Sequence, residues 1–111
     1  MLEQLIRKVL DDANAAHVEH LITESYSAHM ALAEFYDASR EKVDAIVESG
    51  IGLDLPLPES KVSILAYLEA AYVELAEKRE ETCQGATTLE NLYDELLHVY
   101  TSAIFKLKRL K

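Results

Sequence analysis

Tryptophan is absent from this chain, and cysteine, proline and glycine are scarce, at 1, 2 and 3 residues of 111. One cysteine cannot build a disulfide framework, so Cys83 reads as a free thiol, the state expected in a reducing cytoplasm. So few turn formers exclude an all-β chain with many turns and favour long helices. No apolar run is long enough to span a bilayer, so no membrane anchor is expected. The opening stretch MLEQLIRKVLDD reaches an acidic pair before any signal-type apolar block, so no signal peptide is expected either. A Gly-rich phosphate loop and a Cys-pair zinc pattern are both missing. Basic residues are in the minority, 11 against 20 acidic, for a net charge of −9. The last six residues hold four of those cations, which leaves −13 on the rest. A field of that sign repels nucleic acid and attracts cations or basic partners. The basic end itself suits a helix C-terminus, where cations complement the macrodipole.

What is present is ordinary for a single globular domain: half of the residues are apolar and 28% charged. A chain this size can bury roughly two thirds of its unfolded surface and fold without staples. Periodicity predicts four helices, over about 2–23, 26–49, 61–82 and 88–110. Leu2, Ile6, Val9, Ala13, Ala16 and His20 make the first stripe. Thr23-Glu24-Ser25 offers a turn and an N-cap. His29, Leu32, Tyr36, Ser39, Val43 and Ile46 make the second stripe, with Gly50 as its stop signal. The third opens after Ser60 as N-cap and carries Leu65, Leu68, Tyr72 and Leu75, and the fourth opens with a capping-box pattern, Thr87-Thr88-Leu89-Glu90. The sum is an all-α four-helix bundle.

The linker GIGLDLPLPES, residues 50–60, alternates Leu53, Leu55 and Leu57 with Asp54, Pro56 and Pro58, an extended path with one apolar edge. Eleven such residues reach about 35 Å, close to the roughly 36 Å of a 24-residue helix. An extended crossover running the length of the bundle is the preferred reading, and a plain antiparallel turn stays open.

The histidines carry what chemistry there is. His17, His20 and His29 flank the first turn, and folding it near residue 23 sets His17 opposite His29 and His20 opposite Tyr26. Three imidazoles at one end of a bundle suit iron or zinc; they equally suit an interface in which each ring bonds a carbonyl or carboxylate. Asp44 and Glu48, four apart on one helix face, could hold a hard cation or simply be solvated. His29 and Asp44 are 15 residues apart, about 22 Å along a helix, so one chain cannot bring them to one ion. A two-fold axis near Tyr36 or Asp37 would: two antiparallel copies of the second helix place His29 of one against Asp44 and Glu48 of the other. The Glu95-Leu96-Leu97-His98 run has a di-iron ligand spacing but lies on a polar stripe away from Leu92, Leu96 and Val99, and reads as solvated surface.

The spacing of His17, His29, Asp44 and Glu48 resembles the ferroxidase ligands of the Dps-type mini-ferritins, in which histidines of one subunit meet Asp and Glu of its two-fold mate. The longer run from His17 to Gly50 and the ending YDELLHVYTSAIFKLKRLK resemble small Dps-like proteins encoded by tailed phages. The resemblance implies a ferritin-like bundle, a homodimer or larger even oligomer, and iron or another divalent metal held by His17, His29, Asp44 and Glu48, with His20 as a supporting or substitute ligand. It also implies residence in the host cytoplasm. Mini-ferritins place a further acidic ligand four residues after the second histidine, where this chain has Ala33. The competing reading is a non-enzymatic acidic phage protein that binds and modulates a host protein, its negative surface imitating DNA.

Overall fold

The computed structural model describes residues 2–56 and 63–110. Among these the chain is all helix, with no strand: α1 Leu2–Ile22, α2 Tyr26–Gly52, α3 Ile64–Glu77, α4 Arg79–Cys83 and α5 Thr87–Arg109. None of the described helices is long and apolar enough to cross a membrane. The chain divides into two compact units, Met1–Glu59 and Ser60–Lys111.

The first unit is the α1–α2 hairpin. Ala13 of α1 is fully buried and Val43 of α2 nearly so, and the rest of the first stripe is partly covered. The turn forms as its composition predicts. Ser25 caps α2 by accepting the Ala28 N–H at 3.2 Å, and the Thr23 hydroxyl accepts the Ser25 N–H at 3.2 Å. The far end of α2 corrects the sequence reading. Gly50 does not stop the helix, which runs on to Gly52. The stop is at Asp54, whose φ of 58° is left-handed; the Leu55 N–H returns to the Gly50 carbonyl at 2.8 Å and the Asp54 N–H to the Ile51 carbonyl at 3.1 Å. That pair of bonds is a Schellman motif, with Pro56 directly behind it. Gly50 is buried within the helix, and a Cβ there would make only ordinary contacts, 3.6 Å to Leu2 and 3.7 Å to Leu55. The extended linker expected from residue 50 therefore cannot begin before Leu55, because Leu53 caps the helix and Asp54 is left-handed. Residues 57–60 of that linker, and the cap expected at Ser60, lie outside the described residues.

The second unit packs α3 and α4 against α5. Ser63 caps α3, accepting the Ala66 N–H at 3.3 Å. The single helix expected over 61–82 is broken at Lys78, which joins α3 to the short α4. The Leu75 carbonyl, near the end of α3, accepts the Tyr93 hydroxyl at 2.5 Å as well as the Lys78 N–H. A side chain entering the backbone ladder in this way is a recognised cause of a helix break. Gln84 and Gly85, both left-handed, then turn the chain into α5. The capping box expected at Thr87 does not form: Ala86 is the cap residue and no side chain caps the helix. Glu90, the acidic member of that pattern, instead lies 3.4 Å from Arg79.

Arg79 ties α4 to α5. It grips Asp94 with two bonds, 2.7 and 3.1 Å, and also reaches Glu80 at 2.6 Å. Its guanidinium holds the Asp94 carboxyl below the usual carboxylate range, chiefly through that hydrogen bond. Cys83, next to this ion-pair group, is a free thiol only 2% exposed. Burial pushes its ionisation up, so the reactive thiolate is scarce at neutral pH. Iodoacetamide at pH 7.5 is therefore expected to leave the folded protein unmodified and to add one adduct in denaturant, read by intact mass. Rapid labelling of the folded chain would contradict this burial.

Candidate functional site

The α1–α2 hairpin gathers the three histidines of the first turn, two by exchanging bonds. The Nδ1 of His20 lies 2.7 Å from the His29 carbonyl oxygen, and the Nδ1 of His29 lies 2.9 Å from the His20 carbonyl oxygen. A carbonyl can only accept, so both Nδ1 atoms carry a proton, and in the neutral form of each ring Nε2 keeps its lone pair. The two rings stack, 3.7 Å between centroids and 20° apart in plane. His17, one turn back on α1, stacks on Tyr36 at 4.1 Å and 17°. Tyr36 also meets His20 edge-on at 5.4 Å.

Arg40 closes the group. Its guanidinium lies 5.3 Å from the Tyr36 ring centre, within cation–π range. Its Nη1 is 3.5 Å from the Nδ1 of His17. A guanidinium only donates, so His17 accepts at Nδ1 and carries its proton on Nε2, the opposite tautomer to His20 and His29.

The pairing differs from the sequence expectation: His20, not His17, is opposite His29, and His17 meets Tyr36 rather than His29. Helical side chains lean toward the N-terminus of their own helix. On α1 that leads away from the turn, and on α2 toward it. Each α1 residue therefore meets an α2 residue further along than a count from the turn suggests. Tyr36 lay on the sequence stripe, but its place in this group was not anticipated; Arg40, one turn beyond it, was missed. The signal for both was present, since His29, Tyr36 and Arg40 fall at helical spacing on neighbouring positions of one helix.

Asp44 and Glu48 are exposed on α2 beyond Val43, with no ion pair among the described residues. Among the described residues no group of three or more His, Cys, Asp or Glu side chains could hold a metal ion. One copy thus supplies two imidazoles with the right tautomer for ligation, a third engaged by Arg40, and two separate carboxylates. Glu95 and His98 are exposed on α5, but so are Leu92, Leu96 and Val99 of the stripe set against them; the covered side of α5 carries Tyr93, Leu97 and Tyr100 instead.

These features define an all-helical protein whose first hairpin is locked by a histidine–tyrosine–arginine group. The chain belongs to a family of unknown function, DUF5856, whose pattern matches residues 20–107. The match takes in His20, His29, Asp44 and Glu48 and starts after His17. No curated protein matches the chain. No solved structure matches it either.

Proposed function

We propose that the protein acts as a Dps-like, ferritin-like helical bundle in which two copies share a site for a divalent metal, iron being the best match to the donor set. The observation that supports this most is the division of the donors: histidines at one end of α2, with their Nδ1–H groups already spent on carbonyls, and free carboxylates near the other end. A ring N–H donated to a backbone carbonyl is the usual way a protein fixes the tautomer of a metal-bound histidine. His29 and His17 of one copy would face Asp44 and Glu48 of another, with His20 orienting His29 through stacking and the exchanged bond. For His17 to ligate, its Nδ1–Arg40 contact must open or its proton must leave Nε2. Iron bound there would supply one-electron redox chemistry; the chain's own part is to orient imidazoles and bring in negative charge.

Titration of the chelator-treated protein with Co(II), followed by absorbance and calorimetry, tests this. The expected result is saturable binding at one metal per site, lost in both His29→Ala and Asp44→Ala, with the double variant no worse than either single one. Independent, additive losses would mean the two residues do not share an ion. Arg40 and Ala33 favour a second reading, an acidic module that binds a host protein, because the first puts a cation beside His17 and the second removes an expected acid. Absence of any metal binding by a dimeric protein would select it.

A further inference from the structure

Arg40 is unusual in a chain with 20 acidic residues. Arg7 is paired with Glu3, and Arg79 with Asp94, Glu90 and Glu80, while Arg109 is exposed at the end of α5 with no ion pair among the described residues. Arg40 is half-buried, yet its partners are a tyrosine face and an imidazole, and among the described residues no carboxylate meets it. A guanidinium presents a planar fork of donors suited to a carboxylate, and a ring face leaves most of those donors free. Asp37, three residues earlier on α2, is exposed and likewise without an ion pair among the described residues.

Both belong to one row. Tyr26, Met30, Ala33, Asp37, Arg40 and Asp44 recur at steps of four and three, so they share a face of α2. That face lies beside the one carrying His29 and Tyr36, which α1 occupies. Setting His29 opposite Asp44 and Glu48 of a second copy fixes the two-fold axis between Tyr36 and Ser39. About that axis Arg40 falls opposite Ala33 and Asp37 of the other copy. Ala33 leaves room, and Asp37 supplies the missing charge.

We propose that α2 pairs antiparallel with α2 of a second copy along this face, held at the two-fold axis by two reciprocal ion pairs, Arg40 of each copy to Asp37 of the other. The inference rests on the dimer of the preceding section and names the contact that makes it. The charges also select the direction, since a parallel pairing in register would set Arg40 against Arg40 and Asp37 against Asp37. Metal is not needed for this contact, so the dimer precedes the metal site.

Charge reversal in a chelating buffer, read by light scattering, tests the pairing. The wild-type protein is expected to be dimeric. Asp37→Arg alone sets arginines against each other, and Arg40→Asp alone sets aspartates against each other, so each is expected to weaken dimerisation ~100-fold. Mixing the two variants restores both pairs, and a one-to-one heterodimer is expected, identified by native mass spectrometry. Circular dichroism checks that each variant stays helical; Asp37→Asn and Arg40→Gln serve where a reversal does not fold, each weakening the dimer without recovery on mixing. A monomeric wild-type protein would end the shared-site proposal together with this one. A dimeric wild type whose reversals stay dimeric, or whose mixture stays monomeric, would overturn the Arg40–Asp37 pairing alone.

Discussion

Replacing Tyr93 by alanine is expected to cost about 3–5 kcal/mol, the range for removing a large buried aromatic. That is a large part of the total stability of a typical domain. Among the described residues of the second unit Tyr93 is the buried large aromatic, at 9% exposure. Its ring fills space between α5 and the end of α3, and its hydroxyl bonds the Leu75 carbonyl where α3 gives way to α4. Truncation opens a cavity and frees that carbonyl together. Tyr93→Phe separates the two effects: it keeps the ring and loses the bond, at about 1 kcal/mol. Urea unfolding followed by helical circular dichroism measures both. Equal losses in the two variants would mean the ring packs against little and the hydroxyl carries the effect.

Ala13→Leu is expected to be the most damaging change in the first unit, at roughly 1–3 kcal/mol. Ala13 is 0% exposed, so the added carbons have no free volume to enter. They must push α1 and α2 apart. His17 lies one turn further along α1, beside that stripe, and its stack on Tyr36 would be strained by that movement. The variant should therefore lose stability and also shift the imidazole proton resonances of His17 and His20. A stable variant with unchanged histidine resonances would show that the hairpin has slack at this crossing.

The sequence and the structure agree where a periodic stripe and a polar turn speak together. The first stripe, from Leu2 to His20, is the less exposed side of α1, and Thr23-Glu24-Ser25 makes the turn and the cap. They part where a competing interaction acts from outside the segment. Gly50 resembled a stop but is held in the helix, while Asp54, with Leu55 behind it, supplies the true terminus. Thr87 and Glu90 had the right spacing for a capping box, yet Arg79 from α4 lies against Glu90. The break at Lys78 goes with the Tyr93 hydroxyl on the Leu75 carbonyl, a contact 18 residues apart that no local pattern carries. In the candidate site, the gathering of His17, His20 and His29 was legible because it follows from one turn. The exchanged His20–His29 bonds and the place of Arg40 were not, because they depend on the lean of side chains along two facing helices.

The exchanged bonds of His20 and His29 also bear on how the hairpin assembles. They span nine residues, so closing that loop restrains only a short piece of chain. The entropy lost is small, and the two bonds and one ring stack it brings are gained together. A closure of that length is fast compared with bringing distant segments together. The first turn is thus suited to act as a nucleus from which α1 and α2 zip outward toward Ala13 and Val43. The same side chains that would present lone pairs to a metal set the alignment of the two helices before any partner arrives.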